Sequence, residues 1–132
     1  MYFSAGFPGL NDTSTIIKSL EGAGADIIEV GIPFSDPVAD EPTIQESNKI
    51  ALDSGISLKL IFEQLATIRE SVHIPIIMMG YINPVLQFGL EAFCKKCAEV
   101  GVDGLILPDL PMQEYLDEYQ APFEAFGLIN IF

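Results

Sequence analysis

Three carboxylates lie close together where the chain changes from apolar to acidic. Glu29 interrupts the run Asp26-Ile27-Ile28-Glu29-Val30-Gly31, and Asp36 and Asp40 follow in a proline-rich stretch, Ile32-Pro33-Phe34-Ser35-Asp36-Pro37-Val38-Ala39-Asp40-Glu41-Pro42. The first run reads as a strand, so its side chains alternate and Glu29 shares a face with Ile27 and Gly31. A carboxylate buried on such a face is disfavoured in its charged form, which would let it deliver a proton at neutral pH. The other reading is a structural Glu satisfied by backbone N–H groups. For Asp36 the bland reading is stronger, because Asp-Pro favours turn initiation.

More polar residues fall at the ends of apolar runs. Tyr81 and Asn83 follow Ile74-Pro75-Ile76-Ile77-Met78-Met79-Gly80, and Asp109 follows Gly104-Leu105-Ile106-Leu107-Pro108. If the strands are parallel, all of these collect with Glu29 and Asp40 at one edge, where an α/β barrel carries its chemistry. Alternatively, Tyr81 and Asn83 merely finish a strand, and Asp109 is a turn or N-cap residue. Cys94 and Cys97 are spaced C-x-x-C but sit mid-helix, away from the helix N-terminus that a redox motif uses. Packed thiols are the better reading. His73, the single histidine, leaves no zinc ligand set. There is no Gly-rich dinucleotide loop, Walker loop or Gly-x-Ser-x-Gly elbow.

The elements that must position these residues alternate. Tyr2 to Ala5 is a short strand, followed by a Gly6-Phe7-Pro8-Gly9 turn. Asp12 or Thr13 caps a helix carrying Ile16, Ile17 and Leu20, which Gly22 and Gly24 end. Asp26 to Gly31 is the second strand. Thr43 and Glu46 have capping-box spacing for a helix running to Gly55. Ser57 opens another, with Ile61, Phe62, Leu65 and Ile68 on one face. Ile74 to Gly80 is a third strand, apolar throughout, as strands covered on both faces are. Tyr81 to Pro84 is the loop after it. A helix over 89–100 turns Phe93, Cys97 and Val100 inward. Gly104 to Pro108 is the fourth strand, Pro122 must kink or break the helix that follows, and Leu128 to Phe132 is the fifth strand. The resulting β-α repeat implies parallel strands with right-handed crossovers: either an open doubly wound sheet or part of a (β/α)₈ barrel.

Composition narrows the function classes. The 132 residues suffice for one α/β domain over 1–132, and 49% apolar content excludes disorder. A net charge of −13, from 19 acids and 6 bases, disfavours nucleic acid and anionic membrane surfaces. No apolar run reaches the length of a membrane span, and the first residues have no signal-peptide character, so a reducing cytoplasm is expected.

The run from Ile28 through Pro33-Phe34-Ser35-Asp36-Pro37 to Asp40 resembles the tryptophan synthase alpha subunit family. The resemblance extends through Pro42-Thr43-Ile44-Gln45, Tyr81-Ile82-Asn83-Pro84, Gly101-Val102-Asp103-Gly104 and Pro108-Asp109-Leu110-Pro111, and includes Phe3-Ser4-Ala5-Gly6-Phe7-Pro8-Gly9. It covers essentially the whole chain but about the first half of the family's barrel. It implies a partial (β/α)₈ TIM barrel of about five parallel strands, lacking the later strands and the phosphate-binding loops. The implied reaction is retro-aldol cleavage of indole-3-glycerol phosphate to indole and glyceraldehyde 3-phosphate, without cofactor or metal.

By this resemblance Glu29 transfers protons, including one to the indole ring carbon, and Asp40 holds the indole N–H. Tyr2, Met79, Tyr81 and Ile106 line the indole pocket. Pro33, Asp36 and Pro37, with Asn83 and Asp109, belong to the face that meets the family's β subunit, which carries pyridoxal phosphate. Two departures stand out: Glu41 replaces the family's Gly directly after Asp40, and the helix preceding strand one is missing. The expectation is little turnover by these 132 residues alone. A contrasting expectation is a non-catalytic module that self-associates through open strand edges.

Overall fold

The computed structural model describes residues 2–7, 9–33 and 56–131. Five strands form one parallel sheet in the order β1-β2-β3-β4-β5: Tyr2–Ser4, Ile28–Gly31, Ile76–Met79, Gly104–Ile106 and Ile129–Ile131. Sequential parallel neighbours joined by helical crossovers are the arc of a (β/α) barrel, not the reversed order of a doubly wound sheet. β1 and β5 are the edges. Each strand is shorter than its apolar run, although the flanking Ala5, Ile32 and Gly80 still donate to the Gly31, Met79 and Ile106 carbonyls of the neighbouring strand.

The described helices are α1 (Thr13–Gly22), α2 (Leu58–Leu65), α3 (Ile82–Phe88), α4 (Leu90–Val100), α5 (Met112–Glu114) and α6 (Gln120–Ala125). Ser57 caps α2 as expected, its hydroxyl accepting from the Leu60 N–H at 3.2 Å. Asp12 occupies the N-cap position of α1, but its carboxylate does not cap; it accepts from the Gly9 N–H at 3.0 Å and closes the preceding loop. The helix expected over 43–55 lies outside the described residues.

The expected loop over Tyr81–Pro84 is instead the start of α3. Proline is tolerated in a first turn, where its missing N–H would have no intrahelical partner. Pro122 lies inside α6, and the preceding turn, Tyr115–Tyr119, is π-helical. A proline ring collides with the carbonyl four residues back, which here is Glu118, and the wider π turn relieves that collision without ending the helix.

The core lies between one face of the sheet and the helices. Ile28, Val30, Ile76, Met78 and Leu105 supply the sheet side, and Ile17, Ile61, Leu65, Phe93, Cys97 and Phe123 the helix side; all are 0–1% exposed. Phe62, Phe88 and Phe93 stack edge-on beneath α2, α3 and α4 with centroids 5.4–6.3 Å apart. Ile68 is buried in a 3₁₀ turn beyond α2 and extends its apolar stripe.

Candidate active site

Strand alternation and register decide which residues meet. Tyr2 pairs with Glu29, Glu29 with Ile77, and Ile77 with Gly104; one step on, Ser4 pairs with Gly31, Gly31 with Met79, and Met79 with Ile106. Register partners on adjacent parallel strands point the same way. These two rows therefore form the sheet face opposite the helix-covered core, which uses the intervening Phe3, Val30, Met78 and Leu105. Four of the sequence-derived residues, Glu29, Tyr2, Met79 and Ile106, are thus brought onto one face. Ile77, buried in the same row as Glu29, was missed as a site residue, although the alternation Ile77-Met78-Met79 was its signal.

Gly31 is the enabling residue on this face. A Cβ there would meet the Tyr2 hydroxyl and come within 2.6 Å of Cζ, so the Tyr2 ring lies over the Gly31 backbone. Tyr2 and Glu29 are both half-buried. The Glu29 carboxylate therefore lies in a row between an aromatic residue, Tyr2, and an aliphatic one, Ile77.

Tyr81 stands at the N-cap of α3, just past the end of β3, and is 6% exposed yet outside the sheet–helix core. Its neighbours are both tied to β4 and its loop. Gly80 donates to the Ile106 carbonyl at 3.1 Å, and the Ile82 N–H donates to Asp109 Oδ1 at 3.0 Å. Asn83 and Asp109 are exposed on this side, whereas Pro33 is buried after β2. Asp36, Pro37 and Asp40, like Glu41, lie outside the described residues.

Cys94 and Cys97 are buried free thiols facing the core. Burial, with the Glu91 charge adding, pushes Cys94 up to about 11, and burial pushes Cys97 higher still. Neither should label with a thiol reagent at pH 8 in the folded protein, and both should label on unfolding; rapid labelling of the native state would refute the packed reading. The linkage has a definite sign. The unfolded thiols ionise near 8.5, so stability should fall as pH rises from about 9 toward 11, because only the unfolded state releases those protons.

Among the described residues no group of three or more His, Cys, Asp or Glu side chains could hold a metal ion. No described helix is long and apolar enough to cross a membrane.

Known proteins match this chain closely. The family model for the tryptophan synthase alpha chain matches residues 1–132. The tryptophan synthase alpha chain of Flavobacterium johnsoniae is 63% identical over all of this chain and 52% of its own length. That of Flavobacterium psychrophilum is 60% identical over the same shares. The crystal structure of tryptophan synthase subunit alpha from Legionella pneumophila superposes with a TM-score of 0.93 at 37% identity, over 98% of this chain and 49% of that one. A chain of the tryptophan synthase complex from Pyrococcus furiosus superposes at 0.90 with 36% identity, over 98% and 52%. The chain spans about half the length of the curated relatives it matches.

Proposed function

The chain belongs to the tryptophan synthase alpha chain family, and from that premise we propose that it carries the acid–base half of a lyase that cleaves indole-3-glycerol phosphate to indole and glyceraldehyde 3-phosphate. The observation that supports this most directly is the register that sets Glu29 on one face with Tyr2, Ile77, Met79 and Ile106. The substrate's indole is flat and apolar, and this face offers an aromatic ring, aliphatic side chains and one carboxyl group.

In the proposed reaction the bond between the indole ring carbon and the glyceryl carbon breaks. The ring carbon gains a proton, and the glyceryl hydroxyl loses one as it becomes the aldehyde. Glu29 is the group on this face able to move those protons. Asp40 is proposed to accept from the indole N–H and to stabilise the positive charge that develops on the protonated ring. The protonated ring itself takes up the electron pair of the breaking bond, so the chemistry asks for no separate electron sink. Tyr81 closes the pocket at the end of β3, and Pro33, Asp36, Pro37, Asn83 and Asp109 are proposed to meet a β subunit.

The test is indole release from indole-3-glycerol phosphate by the full-length protein, with its Glu29→Gln variant as control. Residues 1–132 alone should release little, since barrels of this kind bind phosphate on their later loops. A second reading has one observation in its favour. On β5, Ile129 is 64% and Ile131 40% exposed on the face that carries Glu29 and Met79, an apolar strip that a second copy could cover. Light scattering on residues 1–132 should then show a dimer or larger, and a monomer at high concentration would remove this reading.

A further inference from the structure

We infer that Asp109 is a positioning residue for Tyr81, and through it for the aryl end of the substrate; this rests on the lyase reading above. Asp109 and Tyr81 come from different loops, but the structure joins them through one backbone amide. The Ile82 N–H is a first-turn amide of α3 and so has no intrahelical acceptor, and Tyr81 at the N-cap makes no side-chain cap. Asp109 Oδ1, 27 positions along the chain, accepts it at 3.0 Å.

Asp109 is itself exposed, but its backbone is fixed. It lies in a turn closed by Leu110 N donating to the Leu107 carbonyl at 3.0 Å, and both leucines are buried, at 5% and 6% exposed. On the other side of Tyr81, Gly80 donates to the Ile106 carbonyl. Tyr81 is therefore gripped between two hydrogen bonds that both lead to β4 and its loop. One is part of the sheet, whereas the other depends on a single carboxylate. Removing that carboxylate frees the first turn of α3 and the orientation of the residue just before it. The sheet, Glu29 and the proton transfer are left in place.

The experiment uses the full-length protein without any partner, so that a role of Asp109 in subunit contact is silent. Indole affinity is measured by calorimetry and steady-state constants with indole-3-glycerol phosphate. Asp109→Ala should weaken indole binding and raise KM by roughly 10-fold while kcat changes less than about 2-fold, as expected when only binding geometry is loosened. Asp109→Asn, which keeps Oδ1, should stay near wild type. In a Tyr81→Ala background, Asp109→Ala should add little, the non-additivity of residues that act as one unit.

Wild-type affinity in Asp109→Ala, an Asn variant as weak as the Ala variant, or additive effects with Tyr81→Ala would each overturn the inference. If the alanine variant does not fold, Asn against Glu decides: affinity kept by Asn and lost by Glu, whose extra methylene misplaces the acceptor, supports it, and the opposite order overturns it. A wild-type protein that neither binds indole nor cleaves the substrate overturns the lyase reading and this one with it. Normal wild-type binding with no effect of Asp109 overturns this one alone.

Discussion

Replacing Glu29 with Gln is expected to lower kcat for indole release by about 10²–10⁴-fold, the usual contribution of a positioned general acid or base. The two side chains are nearly isosteric, and Glu29 is half-buried between its register partners Tyr2 and Ile77, so the fold and the aryl pocket should survive. Indole affinity should therefore stay within about 3-fold while turnover collapses, the pattern of a group needed only in the transition state. The measurement is a steady-state assay on the full-length protein with calorimetric indole binding alongside. Turnover near wild type in Glu29→Gln would remove Glu29 from the chemistry, and with it the main support for the proposed reaction.

Arg69→Ala should cost about 3 kcal/mol of stability, because it leaves several acceptors unpaired at once. The guanidinium spans the N-terminal side of the sheet. Nε and Nη2 donate to the Gly101 carbonyl at 3.1 and 2.7 Å, and Nη1 donates to the Val72 and Ile74 carbonyls at 3.3 and 2.6 Å. Nη2 also pairs with Asp103 Oδ2 at 2.7 Å, and that oxygen accepts from the Ile76 N–H at 2.9 Å. One side chain thus ties the turn after α2 to the starts of β3 and β4.

The pair is partly exposed, with Arg69 at 30% and Asp103 at 49%, so water compensates part of the loss and the ion pair contributes the smaller share. The carbonyls are the larger share, since a planar five-donor fork reaches them together and an ammonium cannot. Lys at 69 should accordingly recover less than half of the loss. Thermal unfolding should show a midpoint lower by on the order of 10 °C for the Ala variant. A shift under about 2 °C would mean that the clamp is ornamental. Activity assayed well below the midpoint should be little changed, because the clamp is at the end of the strands opposite Tyr81 and Asp109.

The parts legible in the sequence are those whose signal is local. The Ser57 cap, the stripe Ile61, Phe62, Leu65 and Ile68, and the inward Phe93, Cys97 and Val100 all appear in the structure where their spacing puts them. So does the β-α repeat, and with it the parallel sheet. The misreadings arise where a distant residue settles a local matter. Tyr81–Pro84 carries loop-like residues, but Asp109 supplies the amide acceptor that lets a helix begin there. Asp109 does sit in a turn, the plainer of its two readings, but the structure also gives its carboxylate to another segment, which its own neighbours do not signal. Arg69 carried no signal at all, because its acceptors Gly101 and Asp103 are 32 and 34 positions away.

By itself the sequence determined the alternation of strands and helices, the apolar faces and the family, and it singled out Glu29 as the carboxyl group proposed here to move a proton. Periodicity and motif are properties of neighbouring residues, and chain chemistry alone expresses them. Only the tertiary structure decided that Tyr2, Glu29 and Ile77 share one row, that Gly31 leaves room for the Tyr2 ring, and that β4's loop holds the start of α3. Register, close approach and capping across loops arise from packing segments far apart in the chain, and a parallel sheet makes all its pairings between such segments.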